Sequence, residues 1–441
     1  MRTVTGLGLV SLTLVVLAGW PSPRAHGQEG LAPAPRYRVK VLGIFPDRGR
    51  TMATDLNDRG VIVGEADNYD DAGAVALVWR DGKPVRLPAP AGYRAIRATA
   101  VNAAGQIAGS VEKTYHGTRY VSGCLWTNGK PQLLPTPRGH FGTATDVNAT
   151  GTVVGWSMVG IPPGPRAWRW REGKLTLLPL PPGRTVTREC SVNEAGQIAG
   201  IAEGPNLDAS SSAVLWDQDR LTVLPSPLGL ADATFQIDNR GRVVGSAGNG
   251  EGECHAALWE GGRMRNLGTL GGSVGFACSI NNRGQVVGST ELEVKLRPGS
   301  NFIDPDERAF YWEDGKMHDL NALIPRGSEW KLVAATAINN RGEILATGRR
   351  NNAQRPVLLT PIPSPGNRKN AVQSQRRLKW AFTRPRSSSD LTTRAERSGS
   401  AAWRSLTAIS TRSSDEKCVD PFTTASPTFL SFAGLFCHFG W

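Results

Sequence analysis

Few groups in this chain have both the type and the spacing that chemistry needs. The six histidines are His26, His116, His140, His255, His318 and His438, and none has a HExxH spacing that would put two imidazoles on one metal. There is no Gly-x-Ser-x-Gly elbow to expose a serine nucleophile and no glycine-rich loop to cradle a phosphate. Two acidic loops are the strongest candidates. Asp67, Asp70 and Asp71 form one, and Asp304, Asp306 and Glu307 the other. Clustered carboxylates bind Ca²⁺ or supply acid–base pairs, although neither loop has an ordered Ca²⁺-loop motif. Solvated surface charge is the competing reading. No motif calls for a cofactor. Asn148-Ala149-Thr150 matches a glycosylation acceptor, but a tight turn accounts for it equally well.

Cysteine offers a further possibility. Cys254 and Cys278 are close enough in sequence to pair, and Cys124 and Cys190 complete the four in the body. Buried thiols acting as small apolar residues are the alternative. No Cys-x-x-Cys pair points to zinc.

The first residues set the expected compartment. Arg2 is followed by an apolar run from Leu7 to Trp20, closed by Pro21 and Pro23, and Ala25-His26-Gly27 offers small residues for cleavage. That is the layout of a secretory leader over residues 1–27. The run is too short to span a bilayer comfortably, and no later segment is apolar enough to do so. The formal net charge of +13 lies mostly outside the body: residues 1–27 carry +2 and residues 364–441 carry +7. The body between them has no electrostatic footprint for nucleic acid. Residues 364–441 are rich in Ser, Thr and Arg, a composition that predicts disorder.

The elements that would position any site come from a repeat over residues 28–363. Leu56-Asn57-Asp58-Arg59-Gly60 recurs as phrases around Asn102, Asn148, Asn193, Asp238, Asn281 and Asn339. Steps between phrases are 45, 46, 45, 45, 43 and 58 residues, the last lengthened by an insertion around Glu291 to Asp306. Asn or Asp opening a turn bonds its side chain to the backbone two residues on, and the glycine takes positive φ. A second glycine, as in Gly284-Gln285-Val286-Val287-Gly288, marks a bulge or a close backbone approach in the next strand. A second hairpin follows in each unit. Trp79-Arg80-Asp81-Gly82-Lys83 and Trp126-Thr127-Asn128-Gly129-Lys130 show its turn, and a Leu-Pro or Leu-Gly phrase ends its last strand. Two hairpins make a four-stranded unit, and radial repetition of such units predicts an all-β, seven-bladed propeller. The repeated Trp is expected to pack between blades.

Seven Asn turns stand against six second hairpins, so the seventh unit lacks a strand. Tyr37 to Phe45 is a spare strand, and its Val41-Leu42-Gly43 matches Asn266-Leu267-Gly268 in type. It is expected to pair beside Val357 to Leu359 and close the ring.

Asn281 to Gly288, His255-Ala256-Ala257-Leu258-Trp259 and Leu267-Gly268-Thr269-Leu270-Gly271-Gly272 together resemble the bacterial HAF repeat, an extracellular repeat named for a His-Ala-Phe phrase. Arg308-Ala309-Phe310 and Arg166-Ala167-Trp168 are weaker versions. The resemblance covers Tyr37 to about Pro363 and implies export and a propeller-like repeat, with no activity attached. Asp-box, Trp-Asp and kelch signatures are missing. The resulting expectation is a secreted, periplasmic or cell-surface monomer. It would act as a non-enzymatic binding or scaffold module for a polysaccharide, a protein or an envelope component. A glycan-active enzyme and a structural envelope protein are the alternatives.

Overall fold

The computed structural model describes residues 36–363, except 69–72, 138–140, 161–163, 205–210, 219, 227–229, 249–252, 293–294, 297–302, 305 and 352. The expectations for residues 1–27 and 364–441 lie outside the described residues.

Each turn phrase folds around its Asn. In blade 1, Asn57 Oδ1 accepts from the backbone N–H of Arg59 and of Val61, both at 3.0 Å. Gly60 N donates to Asn57 O at 3.0 Å with φ of 79°. The strand that follows carries the second glycine, and there the backbones nearly touch. A Cβ on Gly64 would sit 2.0 Å from Met52 O, and one on Gly288 would sit 1.9 Å from Phe276 O. The bulge lies opposite, in the first strand of the blade, where register slips between Ala53 and Asp55 and again between Ala277 and Ser279. The bulged residue in blade 1 is Thr54, whose hydroxyl donates to Ala98 O of blade 2 at 2.7 Å. Glycine and bulge together let the first strand reach sideways into its neighbour.

Seven four-stranded antiparallel sheets result. Blades 1 to 7 begin at Arg50, Arg94, Gly142, Val186, Leu230, Gly275 and Lys331, with the first strand of each lining the axis. The insertion in blade 6 contributes its own short hairpin, Lys295–Leu296 with Ile303–Asp304. Among the described residues no helix is long and apolar enough to cross a membrane.

The repeated Trp packs between blades as expected, and it also binds. Trp126 lies in one apolar cluster with Val63 and Ala76 of blade 1 and is fully buried. Its Nε1 donates to Pro88 O at 2.6 Å, the carbonyl just after Leu87 at the end of blade 1. Trp216 and Trp259 donate likewise to Pro179 O and Pro225 O of the preceding blades, at 2.9 and 2.7 Å. The Leu-Pro phrase is therefore an acceptor for the next blade, and burying an indole with its N–H bonded avoids an unsatisfied donor.

This clasp locates the spare N-terminal strand. Trp79 of blade 1 donates to Gly43 O at 2.9 Å, so Leu42-Gly43 stands where the Leu-Pro phrase of a preceding blade belongs. Arg36–Val41 pairs antiparallel with the last strand, from Arg36 opposite Ile362 to Val41 opposite Val357. It completes blade 7. Tyr37 is 1% exposed and packs edge-on to Tyr311 at 6.4 Å between ring centroids. Deleting residues 28–46 should therefore lower the denaturation midpoint of the whole ring in one cooperative transition. An unchanged midpoint would show that the strand is not part of the closure.

The turn glycine carries a second expectation. Gly284 has φ of 88°, and a Cβ there would meet Arg242 Nη1 at 2.4 Å. Gly284→Val should cost roughly 1–3 kcal/mol, from the strained conformation together with the displaced guanidinium. Asn282→Ala loses one exposed bond, from Asn239 N to Asn282 Oδ1 at 3.0 Å. It should cost about 1 kcal/mol or less. Urea denaturation of both variants measures the gap, and equal costs would contradict the turn assignment.

Candidate functional site

Among the described residues, two concave regions lie at opposite ends of the first strands. At the end where those strands turn back, a cavity of about 160 Å³ is lined by all seven turn phrases. Each Asn there faces two ways. Asn57 Nδ2 donates to Asn102 O of blade 2 at 2.8 Å, Asn102 to Asn148 O at 2.8 Å, Asn148 to Asn193 O at 3.0 Å and Asn193 to Asp238 O at 2.9 Å. Asn281 donates to Asn339 O, and Asn339 to Asn57 O at 3.1 Å, which joins blade 7 to blade 1. Blade 5 has Asp238, which cannot donate. Arg242 substitutes for it, donating through Nε to Asp238 Oδ2 at 2.7 Å and through Nη2 to Asn282 O at 3.3 Å.

A second ring of bonds serves the backbone N–H one residue before each Asn. Two residues before the Asn stand Asp55, Ala100, Asp146, Ser191, Gln236, Ser279 and Ala337. Ser191 Oγ, Gln236 Oε1 and Ser279 Oγ accept from Ile237 N, Ile280 N and Ile338 N of the following blades. Alanine cannot accept, so the blades after Ala337 and Ala100 would lose their acceptors. Those blades are the ones that carry aspartate. Asp55 Oδ1 accepts from its own Leu56 N and Oδ2 from Val101 N of blade 2, both at 2.8 Å. Asp146 serves Val147 N at 2.7 Å and Val192 N at 2.9 Å in the same way.

Carboxylates from different blades thus meet in one cavity, yet both oxygens of Asp55 and of Asp146 are committed to the backbone. Desolvation pushes Asp55 up to about 7 and Asp146 up to about 6, outweighing the N–H bonds that favour the anion.

The other end of the first strands carries loops between the second and third strands and between blades. There a cleft of about 70 Å³ spans blades 1, 2 and 3. Glu65 is at its base, 1% exposed, and accepts from Arg97 Nε at 2.5 Å. Burial pushes the Glu65 carboxyl up and Arg97 pulls it back. Ser110 and Thr143 share a hydrogen bond of 2.5 Å on one wall. Phe141 and Trp156 lie side by side on another, with centroids 5.4 Å apart and planes at 31°. Arg119 completes the rim, with 41% of its side chain exposed, and donates to Glu112 Oε2 at 2.8 Å. It stands on the hairpin Ile107–Tyr115 and Thr118–Thr127, the longest in the ring among the described residues.

The acidic loops do not assemble a metal site among the described residues. Asp67 is 3% exposed and accepts from Arg50 Nε at 3.1 Å and Nη2 at 2.7 Å. Asp306 pairs with Arg308 at 2.8 Å and with Lys331, and Glu307 pairs with Arg349 at 2.8 Å. Each of these carboxylates is directed at a cation of the chain itself. Asp70 and Asp71 lie outside the described residues, as does the side chain of Asp304. Cys254 and Cys278 are not joined to each other, because Cys254 is a thiol; Cys124 is a buried thiol. His255 meets Asn266 Nδ2 through Nδ1 at 2.9 Å.

Sequence reasoning passed over Glu65, Arg97, Arg119, Phe141 and Trp156. The signal was a break in the repeat. The position eight after the Asn holds Glu65 in blade 1 and Trp156 in blade 3, where blades 2, 5 and 6 have Ser110, Ser246 and Ser289.

Asp55→Asn offers one acceptor to two N–H donors and should cost roughly 1–3 kcal/mol near pH 5. A raised folded-state pKa means that the folded chain holds the proton more tightly than the unfolded one. The wild type therefore loses stability from this group as pH rises from about 4 to about 7. The variant lacks that loss, so the gap between the two should narrow toward pH 8. Thermal melts at the two pH values would contradict the assignment if the gap widened.

No family model matches the chain, and no curated protein matches it. Several solved propellers are similar to it. The β-propeller domain of the Trilobed protease from Pyrococcus furiosus is 11% identical, over 60% of this chain and 82% of that one, with a TM-score of 0.41. YCF48 bound to D1 peptide is 14% identical over 76% and 97%, with a TM-score of 0.43. XC5397 from Xanthomonas campestris, a gluconolactonase, is 14% identical over 75% and 92%, with a TM-score of 0.36. The chain is similar to these proteins as a β-propeller, and nothing at this identity speaks to the residues of either cavity.

Proposed function

We propose that the protein is an extracellular binding module and that its ligand sits in the cleft across blades 1, 2 and 3. The observation that carries this reading is the cleft's makeup. Among the described residues that line it, half-exposed arginines and an aromatic pair surround a single carboxylate, Glu65, which an arginine already holds. Glycoside hydrolysis ordinarily uses two carboxyl groups at a set separation, whereas recognition needs only oriented polar groups beside apolar surface. The leader-like first 27 residues and the HAF-type phrases support a location outside the cytoplasm. The assignment to HAF repeat proteins rests on those phrases alone.

One observation favours an enzyme instead: Asp55 and Asp146 come from different blades, share the axial cavity and have raised pKa values. Their four oxygens are all engaged by backbone N–H groups, which supports a structural role. The two readings separate in one experiment. The purified chain is screened on a polysaccharide array, and each hit is incubated with the chain and assayed for new reducing ends. Binding without release is expected. Turnover that Asp146→Asn abolishes and Arg119→Ala leaves intact would move the function to the axial cavity and make the protein an enzyme.

A further inference from the structure

The cleft's chemistry also specifies a class of ligand, an inference that rests on the binding-module reading above. We infer that the cleft binds an acidic polysaccharide, with one anionic group of the chain against Arg97 and Arg119 and the sugar ring bearing it packed on Phe141 and Trp156.

Size separates the two parts of the ligand. A cavity of about 150 Å³ holds a benzene ring, and this one is less than half of that, at about 70 Å³. A carboxylate or sulfate head enters, while a six-membered ring stays at the rim. The rim holds the aromatic pair, with Phe141 36% exposed and Trp156 half-buried beside it. Aromatic faces are electron-rich and attract the polarised C–H bonds on the flat side of a pyranose.

Charge favours an anion. Among the described residues of the cleft the exposed charge is positive, because Arg97 and Arg119 reach solvent while Glu65 and Glu112, which face them, have side chains only 2% and 9% exposed. Glu65 is beneath Arg97 and 1% exposed, so a ligand meets the guanidinium first. Arg97 shows a third of its side chain and Arg119 about two fifths. Planar guanidinium groups at these positions suit a carboxylate through paired N–H donors.

Acidic peptides share that charge, but they carry no sugar ring to lay on Phe141 and Trp156. An acidic polysaccharide has both, and repetition of its charged unit raises the effective concentration at a shallow site.

Affinity electrophoresis of the full chain tests this with polygalacturonate, its methyl ester, dextran sulfate and polyglutamate. Arg119→Ala and Phe141→Ala are suitable variants, because Glu112 keeps Arg94 and Phe141 lies at the surface; circular dichroism checks that both fold. Retardation by polygalacturonate is expected, at least tenfold weaker in either variant and weaker at high salt. The methyl ester, which keeps the rings and removes the charge, should not retard the chain. Dextran sulfate retarding it with the same dependence on both residues would keep the site and identify sulfate as a second source of the anion. Equal binding of the methyl ester, binding indifferent to both variants, or polyglutamate bound as tightly as polygalacturonate would overturn the inference. No retardation by either anionic polysaccharide would also overturn it. If the array still yields a neutral glycan or a protein held at this cleft, the binding-module reading survives alone.

Discussion

A primary amide is the group on which this ring depends. The turn Asn uses its oxygen within its own blade and its nitrogen toward the next, and among small side chains only its amide carries acceptor and donor on two separate atoms. Oδ1 of Asn57 closes the turn that ends the first strand, while Nδ2 fixes that strand's distance from blade 2. Local folding and assembly of the ring therefore share one side chain. Aspartate satisfies the first role and fails the second, which is why Asp238 is accompanied by Arg242 four residues later. The carboxylate left without a donor role becomes the partner of the group that supplies it.

The same logic of compensation runs through the ring of backbone N–H groups beside it. Seven donors need seven acceptors in a region with little access to water, and an unmet one would cost on the order of 1–3 kcal/mol. Two alanines remove acceptors, and two aspartates restore them by accepting twice. The aspartates look catalytic by burial and by pKa, but their positions follow from where the alanines fall. The surface cleft shows the opposite pattern. There Trp156 replaces a small residue of the repeat with no structural debt to settle, and Arg119 stands on a hairpin longer than its counterparts.

Much of the architecture was legible in the sequence because it rests on local rules. The turn phrases, the glycines, the count of hairpins and the spare strand before Phe45 lead to the seven blades and their closure. Trp packing between blades was readable as well, but not the indole bond to the Leu-Pro carbonyl, which requires knowing which blade comes next. The cleft was not readable. Its residues come from three repeats, and each is unremarkable in its own. Glu65 and Arg97 belong to different blades and lie 32 positions apart in sequence. The acidic loops drew attention through composition, whereas Asp67 and Asp306 are neutralised by arginine and lysine side chains. A comparison of equivalent positions among the repeats would have exposed Trp156, because a large aromatic there departs from the pattern.

The strand Arg36–Val41 has all its ladder partners at the far end of the body, from Val357 to Ile362. Synthesis delivers it about 320 residues before its partners. At roughly 5–20 residues per second, its N–H and C=O groups wait on the order of tens of seconds for the strand they will join. Contacts this distant in sequence also make ring closure a slow, late event. A nascent chain of this protein is consequently a row of finished blades with an open first edge. During that interval it is exposed to pairing with the same edge on a neighbouring nascent chain.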